Sequence, residues 1–252
     1  MIDSDVLTIK AKRGKNKRVP QHLEEVFYQT IAFYPELKEN YIIVVENKFY
    51  GIQHTLRAYP PLLSLFNKTK NRVYPIVINT NKGIPISFYD LNKAQQQGIF
   101  AHEMAHIVEY AQLTSFQLVK FSFRFAFSKT FTEKMEKDVD KMAIAKGCGE
   151  YLLAQRTFFK QQSTDQAHTE YVDQLYLNPD QIQQEMKKYP DIYPNIRNNS
   201  TQNLAPKTSN RSKPFPKRKH ILQTIRAFTI AIVEMMRLIY IQRMHKKDAG
   251  NP

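Results

Sequence analysis

The sequence predicts an α+β fold with a small, mainly antiparallel sheet packed on one long helix, followed by a helical lower part. Two apolar, β-branched runs, Tyr41–Val45 and Val73–Asn79, predict strands. The stretch from Lys93 to Leu113 opens with a helix-capping pattern and predicts the central helix, and further helical patterns follow it. Apolar residues make up 42% of the chain, which suffices for a core.

Outside the two predicted strands, the N-terminal part of the chain shows weaker sequence patterns. The run Lys10–Arg18 is a block of like charge, so residues 1–20 are predicted to form a basic, flexible tail. Apolar residues then recur at helical spacing from Gln21 until Pro35. Phe49–Leu56 and Ile84–Phe88 are secondary strand candidates, because turn-forming residues separate them from their neighbours.

The central helix has a defined start and one unusual residue. Asn92 followed by Gln95 resembles a capping box, in which each side chain bonds the other's backbone N–H. Gly98 lies one turn before His102 and costs about 1 kcal/mol relative to alanine in a helix interior. Two interpretations stay open: this glycine permits a close backbone approach, or it is only tolerated.

Phenylalanine is concentrated between residues 115 and 131, partly in strict alternation. That period predicts a strand or an extended lid over an apolar groove, and the alternative is that the rings simply pack in the core. Three helices are then predicted, from about Thr132 to Ala145 with Gly147 as its C-cap, from Glu150 to Phe159, and from Pro179 to Lys188.

The predicted domain covers residues 21–190, followed by a flexible basic linker at 191–219 and an amphipathic helix at 220–247. Charged residues within that last pattern, including Arg226 and Glu234, would be costly in hydrocarbon, so we do not expect it to span a membrane. It either packs on the body, a protein partner or another copy, or lies on an anionic membrane surface.

The net charge of +14 is confined to the two ends of the chain. Residues 1–20 carry a net +4 and residues 196–252 a net +10, so residues 21–195 are neutral. A specific nucleic-acid partner is therefore not expected. Cys148 is the single cysteine and no secretory signal is evident, which favours a cytoplasmic protein, with peripheral membrane attachment as a variant of that expectation.

His102-Glu103-Met104-Ala105-His106 carries the strongest chemical signal in the sequence. On a helix, the two histidines lie one turn apart and can bind the same zinc ion, with Glu103 beside them as a base for a bound water molecule. Roughly 0.01 such matches are expected by chance at this composition, which is low against the usual false-positive risk of short motifs.

A catalytic zinc site of this kind needs a third protein ligand and leaves one position for water. His168 is the next histidine and lies too far downstream for a short three-histidine pattern, which favours a glutamate on a later helix. Glu136 is the preferred candidate, with Glu133 and then Glu150 as rivals. Asp140 lies one turn after Glu136, where it can accept the second N–H of a ligand histidine. The alternative is that both are part of a solvated charged face.

Together, His102-Glu103-x-x-His106 and the helical Glu136-x-x-x-Asp140 resemble the gluzincin zinc metallopeptidases, particularly the compact minigluzincins. The resemblance implies a zincin-like fold and one Zn²⁺ held by His102, His106 and Glu136. It also implies Glu103 as general base, Asp140 as support for a ligand histidine, and an edge strand that pairs with an extended peptide substrate.

Zinc peptidases usually provide a donor that stabilises the developing oxyanion. Tyr110, Tyr151, His168 and Tyr171 are all candidates, and we choose His168 with Tyr171 because they would lie one turn apart on a helix. The predicted function is zinc-dependent cleavage of peptide bonds, as an endopeptidase with narrow or self-directed range. Alternatives are a zinc hydrolase for another amide, and a non-catalytic scaffold whose 220–247 helix binds a membrane or protein partner.

Overall fold

The computed structural model describes residues 4–49, 54–61, 64–65, 67–68, 71–162 and 172–196, all within one compact unit, Met1–Arg197. Its helices are α1 (Ser4–Arg13), α2 (Glu24–Ile31), α3 (Lys93–Gln112), α4 (Ser115–Phe127), α5 (Lys129–Ala143), α6 (Gly149–Gln162) and α7 (Pro179–Met186). Its strands are β1 (Lys17–Arg18), β2 (Tyr41–Asn47), β3 (Leu56–Ala58) and β4 (Val73–Asn79). The fold is therefore α+β, as the sequence predicts.

The four strands form a mixed sheet with the order β1-β2-β4-β3. β1, β2 and β4 run parallel, and only β3 pairs antiparallel, with β4. The prediction of a mainly antiparallel sheet was wrong. Strand direction is not encoded in apolar periodicity, but the almost continuous burial along β4 is typical of a parallel strand covered on both faces.

Helix α3 forms the centre of the unit, and its start confirms the predicted capping box. Asn92 accepts from the Gln95 N–H at 3.0 Å, while Gln95 accepts from the Asn92 N–H at 2.9 Å. The helix is buried continuously from Gln97 to Val108, so it packs against neighbours around most of its circumference. That burial keeps His102 and His106 out of bulk water.

Gly98 is the point of closest approach between α3 and α6. A Cβ atom at this position would lie 2.2 Å from the carbonyl oxygen of Tyr151 and 2.9 Å from Cβ of Gln155. Both separations are far below van der Waals contact, so only glycine allows α6 to pack at this distance. Of the two interpretations of Gly98, the close backbone approach is confirmed.

The phenylalanine-rich segment is a helix, and the predicted strand or lid was wrong. Thr114 caps α4 by accepting from the Gln117 N–H at 3.3 Å. Residues two apart in a helix lie roughly 200° apart, so strict alternation places aromatic rings on two opposite faces. Phe121 and Phe125 lie on the inner face of α4 and pack against the core, whereas Phe123 on the outer face is exposed.

The N-terminal segment also differs from the predicted flexible tail. Val6 of α1 is buried against the core, and Lys10 pairs with Glu24 at 2.7 Å. Arg13 donates to the carbonyl oxygens of Ile31 and Ala32. Lys10 thus contacts the start of α2 and Arg13 contacts its C-terminal end. In the sequence, both residues belong to a block of like charge that resembles a solvated segment.

Two further predictions changed in detail. Ile84–Phe88 is not a strand, and the segment instead leads into a short 3-10 helix, Phe88–Asp90. Gly147 does adopt a left-handed conformation, with φ of 97°, but it lies in a π-helical turn, Ile144–Cys148, that joins α5 directly to α6.

The predicted linker at 191–219, apart from its first residues, and the helix at 220–247 lie outside the described residues. Within the described part, no helix has the length and apolar character needed to cross a bilayer.

Substituting Gly98 by alanine should destabilise the fold, although alanine favours the helical backbone. The new methyl group forces α3 and α6 apart, and overpacking of this kind costs about 1–3 kcal/mol. Chemical denaturation should therefore show a lower free energy of unfolding. Gly83→Ala is the matched control, because among the described residues its added Cβ meets only Asn81 Oδ1, at 3.5 Å. Equal stability of the two variants would contradict this account of the α3–α6 contact.

Candidate metal centre

Helices α3 and α5 meet where the two histidines of α3 face the glutamate predicted on α5. His102 and His106 lie one turn apart on the same side of α3, and Glu136 reaches them from α5. All three side chains are buried, with relative exposures of 4–5%. The structure thus brings together the three residues that the sequence predicts as zinc ligands.

The donor atoms of these three residues form a small triangle. Nε2 of His102 lies 3.1 Å from Nε2 of His106 and 3.0 Å from Oε2 of Glu136. The third distance, from Nε2 of His106 to Oε2 of Glu136, is 3.3 Å. Ligands about 2.0–2.1 Å from a tetrahedral zinc ion are separated from each other by about 3.3 Å. The triangle is therefore close to the size that one zinc ion requires, and these residues could hold a metal ion.

Hydrogen bonding directs the lone pair of His102 into this triangle. Asp140 accepts from Nδ1–H of His102 at 2.7 Å, which leaves Nε2 of the neutral ring without a proton. Burial alone would lower the pKa of His102, but Asp140 and Glu136 raise it to about 10. Burial likewise opposes ionisation of Glu136, yet the two histidines hold its pKa well below the usual range. The site strongly favours a positive charge at its centre.

Asp140 is itself held by three elements. Besides His102, it accepts from Nη2 of Arg156 at 3.0 Å and from the backbone N–H of Leu177 at 2.9 Å. The carboxylate has no exposed surface, and burial would raise its pKa, but Arg156 and His102 lower it below the usual value. An ionised Asp140 can therefore fix the ring of His102 in one orientation.

Glu103 lies beside the two histidines and contacts the sheet. Its Oε2 accepts from the backbone N–H of Ala58, in β3, at 2.5 Å. Burial raises the pKa of Glu103, although His102, His106 and this N–H oppose the rise. A carboxylate with a raised pKa that is free of an ion-pair partner among the described residues is suited to accept and return a proton.

Aromatic and basic side chains border the triangle. The ring of Tyr176 lies 5.5 Å from that of His102, and the ring of Tyr110 stacks on His106 at 5.8 Å. Arg57, on β3 next to Ala58, contacts Nε2 of His54 at 2.7 Å and lies over Phe125 of α4. Burial raises the pKa of both tyrosines, so their hydroxyl groups stay protonated and can donate.

The other predicted site residues lie elsewhere. Glu133 pairs with Lys129 at 3.3 Å, and Glu150 is exposed at the start of α6, so neither belongs to the triangle. Tyr151 packs on Phe33. His168 and Tyr171 lie outside the described residues, and their proposed role stays a prediction.

Sequence reasoning missed Arg156, Tyr176 and Arg57. Arg156 had a detectable signal, because it lies one turn after Leu152 on the buried side of α6, where an arginine needs an acidic partner. Tyr176 and Arg57 had no comparable signal, since a single tyrosine or arginine near a turn is common. The Ala58 N–H is a backbone group that no residue type reveals.

Comparison with known proteins adds no assignment, because no family, curated protein or solved structure matches this chain. The site must therefore be interpreted from its own geometry.

Removing Glu136 should remove most of the metal affinity. We expect full-length Glu136→Ala to retain little zinc after dialysis against a buffer in which a chelator sets the free zinc concentration. Without Glu136, only the two buried imidazoles remain as protein ligands. Glu133→Ala is the matched control, since it lies one turn earlier on α5 and pairs with Lys129. Inductively coupled plasma mass spectrometry gives the zinc-to-protein ratio. Equal ratios in Glu136→Ala and wild type, or loss only in Glu133→Ala, would contradict the ligand assignment.

Proposed function

We propose that this protein is a zinc-dependent peptide hydrolase of the gluzincin type. The observation that carries the proposal is the position of Glu103, a buried carboxylate next to three converging metal donors and in contact with a strand edge. A purely structural metal site has no use for such a group at its open side. Zinc, when held by His102, His106 and Glu136, would supply Lewis-acid activation of water and of a carbonyl group.

In this proposal Glu103 moves the proton. Its raised pKa favours acceptance of a proton from the attacking water and its later delivery to the leaving amine. The Ala58 N–H fixes one oxygen of Glu103, which leaves the other oxygen for the water molecule. Asp140 does not take part in proton transfer in this proposal, because His102 and Arg156 hold its Oδ1 and the Leu177 N–H holds its Oδ2.

The edge of β3 that does not pair with β4 supports an extended peptide as the substrate. In the ladder with β4, the Tyr59 N–H donates to Pro75 O and the Asn79 N–H donates to Thr55 O. Because bonding alternates along an antiparallel pair, the backbone groups of Leu56 and Ala58 then point away from β4. The Ala58 N–H on this side bonds Glu103, so a peptide that paired with the remaining backbone groups of this edge would lie beside the proposed metal site.

Tyr176 is the donor that the described residues favour for stabilising the oxyanion. Its ring is next to that of His102, and Cζ of Arg156 lies over it, 4.2 Å from the ring centroid. The cation holds the ring in place, and burial keeps the hydroxyl group protonated. Arg57 adds positive charge to the same cleft and opposes the rise that burial causes in the pKa values of Glu103 and Tyr110.

Glu103→Gln should keep zinc but lose hydrolysis. General-base catalysis typically contributes about 10²–10⁴-fold, and an amide cannot accept the proton. The assay is cleavage of an unfolded protein such as reduced casein, together with mass spectrometry for trimming of the chain's own ends. Glu133→Gln serves as the control and should retain activity. Zinc-loaded wild type that cleaves neither itself nor casein would favour the scaffold alternative over the hydrolase.

Tyr176→Phe should lower kcat while leaving KM and zinc content close to those of wild type. Losing one oxyanion donor typically costs about 10²–10³-fold in turnover, and phenylalanine preserves the ring packing against His102 and Arg156. Steady-state kinetics on a quenched fluorescent peptide separates kcat from KM. A change confined to KM would show that Tyr176 binds substrate rather than stabilising the transition state. Unchanged kinetics would exclude it from the reaction.

A further inference from the structure

The outer face of α4 exposes three large aromatic side chains in one row. Phe116, Phe123 and Phe127 have relative exposures of 78%, 63% and 59%. At 3.6 residues per turn, these three positions lie within an arc of roughly 40°. Their rings therefore project together from one side of the helix, and exposed apolar patches of this kind mark interaction sites.

The same face is positively charged. Lys120 and Arg124 are exposed beside the phenylalanines, and α4 contains no acidic residue. Arg124 lies over the ring of Phe131, and neither cation has a carboxylate partner in the part of the chain that the structure describes. The face thus combines exposed aromatic rings with positive charges that can pair with an anionic partner.

We propose that the outer face of α4 docks this protein on the surface of an anionic lipid bilayer. Helices that lie in a membrane interface combine exposed aromatic residues with lysine and arginine, as this face does. A second copy fits less well, because a symmetric pairing would bring Lys120 and Arg124 close to the same cations of the partner.

Docking in this way would place the candidate site next to the bilayer. The inner face of α4 borders the cleft. The ring centroids of Phe121 and Tyr110 are 5.5 Å apart, and Cζ of Arg57 lies 5.0 Å from the ring centroid of Phe125. This orientation depends only on the fold. It holds whether or not the cleft hydrolyses peptides, so the lipid test and the catalytic tests fail independently.

The absence of tryptophan from the sequence allows a site-specific test on the full-length chain. Phe123→Trp places one fluorophore on the face, and Tyr89→Trp is the matched control at a residue with 46% exposure. Tyr89 lies outside α4, in the 3-10 helix before α3, where its hydroxyl group contacts Glu46 and His22. The test compares two kinds of vesicle. One contains phosphatidylcholine and phosphatidylserine, and the other contains phosphatidylcholine alone.

We expect the Phe123→Trp emission to shift to the blue with anionic vesicles and to be quenched by brominated lipid, while Tyr89→Trp responds much less. A shift that needs no phosphatidylserine would overturn the role of charge. The basic ends of the chain could hold vesicles by themselves, and binding without any change in Phe123→Trp emission would overturn the proposal. A concentration-dependent shift without lipid, with doubled mass in light scattering, would assign the face to a second copy instead.

Replacing all three phenylalanines by serine gives a second readout. Flotation of full-length protein with anionic vesicles should weaken by at least about tenfold, because each buried aromatic ring contributes to partitioning. Tyr89→Ser should bind like wild type. Circular dichroism and zinc content report whether the triple variant folds. A folded triple variant that floats like wild type would overturn the proposal.

Discussion

The buried carboxylate of Asp140 is the constraint on which both the packing and the candidate site depend. It joins α5 to α3 through His102, to α6 through Arg156, and to the segment before α7 through the Leu177 N–H. Removing one partner would leave a buried charge unsatisfied, which is costly in the protein interior. The same bonds that hold four parts of the chain together therefore also set the ring orientation of His102, so structure and site cannot be separated at this residue.

The charges around Asp140 balance only when the triangle holds a cation. Glu136 and Asp140 are ionised, Arg156 offsets one of them, and Nε2 of both histidines faces the same point. A proton on His102 can satisfy this arrangement, as its raised pKa indicates, but a divalent ion would satisfy all three donors at once. Glu103 is outside this balance. Its one described contact is with a strand edge, which is why its position supports catalysis rather than structure.

Local patterns predicted the elements that carry the site, and tertiary pairing explains what they missed. The capping residues Asn92 and Gln95 and the histidine spacing fix α3 locally, so its bounds could be predicted to within one residue. The parallel arrangement of β2 and β4 depends on how residues 48–72 return across the sheet, which no local period records. Alternating phenylalanines fit two opposite faces of α4 as well as they fit a strand. Arg156 and the Ala58 N–H enter the site only through packing between distant segments.

Zinc K-edge X-ray absorption on the full-length, zinc-loaded protein tests the central claim most directly. The account predicts a first shell of nitrogen and oxygen only, at about 2.0–2.1 Å, with the outer-shell scattering of two imidazole rings. Cys148 is buried away from the triangle, so no sulfur scattering should be present. A spectrum with a sulfur shell, or without two imidazoles, would contradict a metal centre built from His102, His106 and Glu136.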